Sequence, residues 1–291
     1  MKHWMMGLAA GAAMMIATTA AQAAETLRFA VTDIVGVEML QVEFGAFRDK
    51  LSEVTGYDIE FTPVSSRTAA VEALNAGQVD FVLTGPAEYV VINKLTDAQP
   101  VIAFSRPDYF GGIIVLADSP YQRPADLVGK RVAFGDIGST SNHLAPAQAL
   151  ADYGVTMDEI EEIHTSSNIA WEALKNGDVD AIGMNYMKFV KIRNGDGSID
   201  PGAFRVIARG PDLPNDLLVA SVDVDPAVVE QVRTAIGANS DELVAAILTG
   251  EDNQKYAGMR FLTNVQDSDY NYVRSMYATI GYPEYAEFVG E

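Results

Sequence analysis

Cysteine is absent from all 291 residues. No disulfide framework can hold the fold together, and no cysteine is available to carry a lipid. Basic residues are scarce: 20 lysines and arginines stand against 40 aspartates and glutamates, for a formal charge of −20. That balance disfavours nucleic acid and anionic membrane surfaces as partners. The acids are spread along the chain rather than gathered into a tail. Familiar catalytic signatures are missing as well, since there is no HExxH, GxSxG, P-loop or GxGxxG. Ser139 precedes His143 at helical spacing, which reads as a cap and a surface or cleft histidine rather than a nucleophile and its base. The stretch from Asn194 to Asp200 resembles part of a calcium loop but has Arg205 where the closing glutamate belongs. An enzyme is not expected, nor is a cofactor or a metal.

With 48% hydrophobic residues, 21% charged residues and 12 prolines, the chain is globular and large enough for two domains of about 100–200 residues each. Lys2 and His3, an apolar run from Trp4 to Ile16 and the triplet Ala21, Gln22, Ala23 give the three regions of a secretory signal peptide covering residues 1–23. Thr18, Thr19 and Gln22 interrupt the run too early for a transmembrane anchor, and no later charge-free stretch is long enough for one. The expected location is therefore a bacterial periplasm, with the protein free and not lipidated.

The sequence repeats itself. Residues 70–82, AVEALNAGQVDFV, match residues 170–182, AWEALKNGDVDAI, and Arg28 to Ile34 match Arg131 to Ile137. Each half starts on a strand of β-branched and aromatic residues and runs through helix, strand, helix and strand. Leu40, Phe44, Phe47 and Leu51 fall on one face of the first helix, with Gly56 placed to stop it. The pattern predicts an α/β fold of two similar lobes. Residues 24–112 plus 217–291 form lobe one and residues 113–216 form lobe two. The apolar runs Gly111 to Ala117 and Leu217 to Val222 read as two hinge strands, and the C-terminal segment is expected to pack back on lobe one.

In open α/β sheets ligands lie beyond the carboxyl ends of the strands. Three hydroxyl-rich loops fall there: Gly135 to His143, Ser65 to Thr68, and Thr165 to Asn168. Free backbone N–H groups and the dipole at a helix start make an anion site, although the same residues are ordinary N-caps. Residues picked from these loops are Ser66, Arg67, Ser139, Thr140, Ser141, His143, Ser167 and Asn168. Arg67 could supply a charge-assisted hydrogen bond or stand on an exposed rim.

Gly138-Ser-Thr-Ser-Asn-His-Leu144 with Pro146, Val79 to Gly85, Asn176 to Asp180, and Leu213-Pro-Asn-Asp216 resemble the periplasmic solute-binding proteins of phosphonate and phosphite ABC importers. The resemblance covers nearly the whole mature chain. It implies a two-lobed periplasmic binding protein of the second type, a Venus flytrap, in which Ser139, Thr140 and Ser141 grip an oxyanion. It also implies that Asp216 is a cleft aspartate and that Tyr109 is an aromatic beside the hinge. Arg67 and Thr84 stand where some members carry tyrosines, and Ser167 where a histidine is common. Asn185 and Tyr186 fall where aminophosphonate binders place a carboxylate, and a buried ammonium without a partner is costly. The expected ligand is a small phosphorus oxyanion without an amine, such as phosphite or methylphosphonate. The expected partners are an inner-membrane permease and its ATPase, with the binding protein itself monomeric. Two alternatives remain: a sulfonate, another anion or a carboxylate in the same fold, and a ligand-sensing partner of a membrane receptor.

Overall fold

The structure is a computed structural model and describes residues 25–32, 36–64, 66 and 69–289. The expected signal peptide lies outside the described residues. The strands, in chain order, are β1 (Thr26–Val31), β2 (Asp58–Phe61), β3 (Phe81–Thr84), β4 (Gln99–Phe104), β5 (Gly111–Leu116), β6 (Arg131–Phe134), β7 (Glu161–His164), β8 (Ala181–Asn185), β9 (Phe204–Arg209), β10 (Asp216–Ala220) and β11 (Phe261–Leu262). They form two sheets, in the orders β11-β4-β10-β3-β1-β2 and β7-β6-β8-β5-β9. Each sheet has a parallel trio, β2-β1-β3 in one and β7-β6-β8 in the other. An antiparallel strand flanks each trio, β10 beside β3 and β5 beside β8.

The helices are α1 (Val37–Thr55), α2 (Ala69–Asn75), α3 (Pro86–Thr96), α4 (Ala145–Asp152), α5 (Ser167–Asn176), α6 (Tyr186–Gly195), α7 (Pro226–Ala238), α8 (Ser240–Ile247) and α9 (Asn271–Thr279). On α1, Leu40, Phe44, Phe47 and Leu51 are all buried, and Gly56 ends the helix with φ 77°. That left-handed conformation is one glycine adopts without steric cost. The corresponding stop in the second half is Gly177, with φ 76° after α5.

The duplication is visible atom by atom. Asp80 accepts the backbone N–H of Arg28 at 2.7 Å and its guanidinium Nη2 at 2.6 Å, while Arg28 also donates to the carbonyl of Gly77. In the other half Asp180 accepts the backbone N–H of Arg131 at 3.0 Å, and Arg131 donates to the carbonyl of Gly177 at 3.0 Å. The repeated arginine, glycine and aspartate thus tie the start of the central strand to the turn before the next one.

The two apolar runs read from the sequence as hinge strands lie inside the sheets. Gly111–Leu116 is β5, buried along nearly its whole length, and Asp216–Ala220 is β10, buried throughout. The chain passes between the sheets in the polar, proline-bearing segments before them, residues 105–110 and 210–215. Uninterrupted β-branched runs gain most from burial on both faces of a sheet, which explains why they sit there rather than in the connections.

The C-terminal segment returns to the first sheet. Val232, Ile236, Leu243 and Ile247 of α7 and α8 join the core of α1, and β11 pairs with β4. Helix α9 reaches further. Val273, Met276 and Tyr277 share a buried cluster with Val90 of α3 and with Leu144 and Ala145 at the start of α4, so it packs on both lobes.

Candidate functional site

The segments that follow the carboxyl ends of β6 and β3 come together between the two sheets. After β6, the Gly135 to Ser139 loop leads into a π-helical turn at Thr140–Leu144 that continues as α4. Gly138 has φ 86°, a conformation that suits glycine. Gly135 donates its N–H to the carbonyl of Asn142 at 2.8 Å, which closes the loop on itself. A Cβ on Gly135 would lie 2.6 Å from Cβ of Asn142, so the closure needs glycine.

Ser139, Thr140 and Ser141 are 7%, 4% and 6% exposed, although hydroxyl residues are mostly found exposed. The first amides of this helix have no acceptor within it. Thr140 Oγ1 accepts the N–H of Ala87, 3.0 Å away at the start of α3 in the other lobe. Two helix starts, one from each lobe, therefore meet at the Ser-Thr-Ser motif, and an oxygen already serves as acceptor between them. Beside that contact lies a cavity of about 110 Å³ lined by Val71, Glu88, Val91, Ile137, Gly138 and Tyr277.

The other sequence-predicted residues fall in several places. Thr84, 2% exposed, hydrogen-bonds through Oγ1 to Thr32 Oγ1 at 3.0 Å at the ends of β3 and β1. Asp216 accepts the Tyr256 hydroxyl at 2.5 Å and Arg106 Nη1 at 3.2 Å. Tyr109 lies beneath that guanidinium, 3.8 Å from ring centre to Cζ. Tyr186 stacks on Phe110 at 4.6 Å. Ser167 is buried at the start of α5, but Asn168 is exposed and Ser166 provides the cap, accepting the N–H of Ile169. Ser66 is exposed and accepts the N–H of Ala69 at 3.1 Å at the start of α2. Arg67 lies outside the described residues.

His143 turns its ring towards β7. Its Nδ1 accepts the N–H of Gly138 at 3.2 Å, and its Nε2 lies 3.0 Å from Glu162 Oε1. Burial is the main influence lowering its pKa, reinforced by the nearby charge of His164 and opposed by Glu162.

Sequence reasoning missed Arg106 and Glu88, and it marked the place of Asn185 without the hydrogen bonds that hold it. Arg106 holds Asp216 from the first crossing. Glu88, 8% exposed, folds its carboxylate back over Gly85, where a Cβ would lie 2.6 Å from Oε2. Asn185 ends β8, where its Oδ1 accepts the N–H of Lys188 at 3.0 Å and its own N–H donates to Asn142 Oδ1 at 3.0 Å. Because Oδ1 must face the Lys188 donor, the amide orientation is fixed. Nδ2 is then a donor held at the cleft end of the strand, buried and without a protein partner. A carboxylate, the residue that would welcome an amine, is not what this strand end presents.

The family model for the periplasmic substrate-binding protein of phosphonate ABC transporters matches residues 29–270. The chain belongs to this family. Among curated relatives, the phosphate-import protein PhnD of Mycolicibacterium smegmatis is 28% identical over 244 residues, covering 77% of this chain and 75% of that protein. Among solved structures, PhnD1 of Prochlorococcus marinus in complex with methylphosphonate superposes with a TM-score of 0.65 at 17% identity, covering 89% of this chain and 99% of that one. The periplasmic aliphatic sulphonate-binding protein SsuA of Escherichia coli gives 0.60 at 18% identity, covering 87% and 86%. These likenesses establish the type II periplasmic binding fold, and the relatives are transport proteins rather than enzymes.

Proposed function

We propose that this chain captures a small phosphorus oxyanion, phosphite or a small phosphonate such as methylphosphonate, and delivers it to an inner-membrane permease driven by its ATPase. The observation that carries this reading is the meeting of the buried Ser139-Thr140-Ser141 helix start with the start of α3, bridged by Thr140 Oγ1 and Ala87 N at 3.0 Å. An oxyanion oxygen matches the acceptor character of that bridge, and the paired helix starts supply N–H donors and favourable dipoles from both lobes. Binding there would hold the lobes together, which is the state a permease can distinguish from the empty protein. The formal charge of −20 does not oppose this, because bulk charge is screened beyond roughly 8 Å at physiological salt.

Asn185 disfavours an amine on the ligand. Its buried donor would face a ligand ammonium with like polarity, whereas a ligand oxygen satisfies it. A thermal-shift panel of phosphite, methylphosphonate, 2-aminoethylphosphonate, phosphate, sulfate and an alkanesulfonate tests the reading. Ligand at 100 times its dissociation constant adds about 2.7 kcal/mol of stability, so phosphite or methylphosphonate should raise the melting temperature clearly. Ser139→Ala and Ser141→Ala should each reduce that shift. Stabilisation by the sulfonate or by phosphate alone would replace the ligand while keeping the site, and no shift with any anion would overturn the oxyanion reading.

A further inference from the structure

Beside the Ser-Thr-Ser helix start, His143 and His164 converge on Glu162. Nε2 of His143 lies 3.0 Å and Nε2 of His164 lies 2.8 Å from the same oxygen, Oε1, and all three donor atoms fall within 4.8 Å of one another. Glu162 and His164 alternate along β7 and so share a face of that edge strand. His143 arrives from the helix, its ring edge-on to that of His164 at 4.6 Å.

The orientation of the His164 ring is set by its other nitrogen. Nδ1 of His164 is 2.8 Å from the carbonyl oxygen of Gly135, and a carbonyl only accepts, so Nδ1 carries the hydrogen. Nε2 is thereby aimed at Glu162 Oε1, 2.8 Å away. A proton or a metal ion shared between those two atoms makes the contact attractive. A metal-bound histidine commonly has this arrangement, with its far nitrogen donating to a backbone carbonyl.

We propose that His143, Glu162 and His164 bind one divalent transition-metal ion of the zinc class. Two imidazoles and a carboxylate are a donor set suited to zinc, at metal–ligand distances of about 2.0–2.2 Å. The side chains of Glu162 and His164 are 30% and 25% exposed, which leaves a path for the ion and an open position for water. Coordination through Nε2 of His143 moves that ring's hydrogen to Nδ1, which now accepts the Gly138 N–H. Gly138 must then release His143, so the metal acts on the loop that leads into the Ser-Thr-Ser turn. The proposal does not depend on which anion the cleft takes.

The test is calorimetric titration of chelator-treated full-length mature protein with zinc chloride near neutral pH, with cobalt(II) absorption as the ligand-field readout. One ion per chain is expected, together with cobalt d–d bands of low coordination number. Losing a ligand costs at least the roughly 10–100-fold in affinity that losing an outer-sphere partner does, so His164→Ala and Glu162→Gln should each weaken binding at least that much. Circular dichroism melts of both variants verify that they fold. The absence of one-to-one binding, or unchanged affinity in both folded variants, overturns the site. A cluster stabilised only by a proton would show the same failure to take up metal, and it counts against the proposal.

Discussion

At the scale of single residues, the most consequential pair is Arg106 with Asp216. Their side chains are 11% and 3% exposed, so neither charge has water to fall back on. Removing one partner of a buried pair leaves the other uncompensated, which costs about 3–5 kcal/mol. Arg106→Ala should therefore lower the unfolding free energy by that order in chemical denaturation, and a change below about 1 kcal/mol would mean that the pair is solvated in solution. Nothing near Arg106 in the sequence marks it. Hydroxyls and glycines after strands are local marks, whereas Arg106 lies in a crossing and meets Asp216 110 positions later. The sequence marked Asp216 but not its two donors, Arg106 and Tyr256, because only the folded chain brings those three segments together. Ser139 to Ser141 were legible because a helix start is a local feature.

At the scale of elements, the bracket of Arg131 and Asp180 sets an acid limit. Burial pushes the Asp180 carboxyl up, but the Arg131 backbone N–H, the Tyr121 hydroxyl and the Arg131 guanidinium together outweigh it and hold the group below the ordinary carboxylate range. A carboxylate with a depressed folded-state pKa contributes stability above its unfolded pKa of about 3.9 and loses that contribution as pH falls through the folded value. Asp180→Asn should therefore lower the melting temperature near neutral pH, with the gap to the parent protein closing in strong acid. A gap that stays constant with pH would remove the ionic part of this bracket. The same elements show what sequence patterning reads well. Strands and helices of the two repeats were recognisable because their periodicity and glycine stops recur. Strands β4, β9 and β11 were not, since they belong to no repeat and find partners only from distant segments.

At the scale of the whole molecule, the two lobes touch through polar and apolar contacts together. Thr140 meets Ala87, Thr279 Oγ1 donates to Gln148 Oε1 at 2.6 Å, and the α9 cluster takes in Leu144 and Ala145. The two-lobed architecture was legible from the duplication. The position of the crossings was not, because an apolar β-branched run reads the same whether it joins two sheets or completes one.

The second sheet is built from one continuous stretch, β5 to β9, whereas the first needs β10 inserted between β3 and β4. A growing or refolding chain can complete the second lobe while the first still lacks a central strand. Until β10 arrives, β3 and β4 each expose an unpaired edge, the kind of surface that promotes aggregation. Closing that gap brings together segments more than a hundred residues apart, a slow step by chain entropy. Pulse-labelled hydrogen exchange during refolding should thus protect Ile113 to Val115 and Ala181 to Gly183 before Leu217 to Val219. The reverse order would show that the C-terminal helices gather the first lobe early. In such a chain the duplicated halves are equal in design but unequal in time.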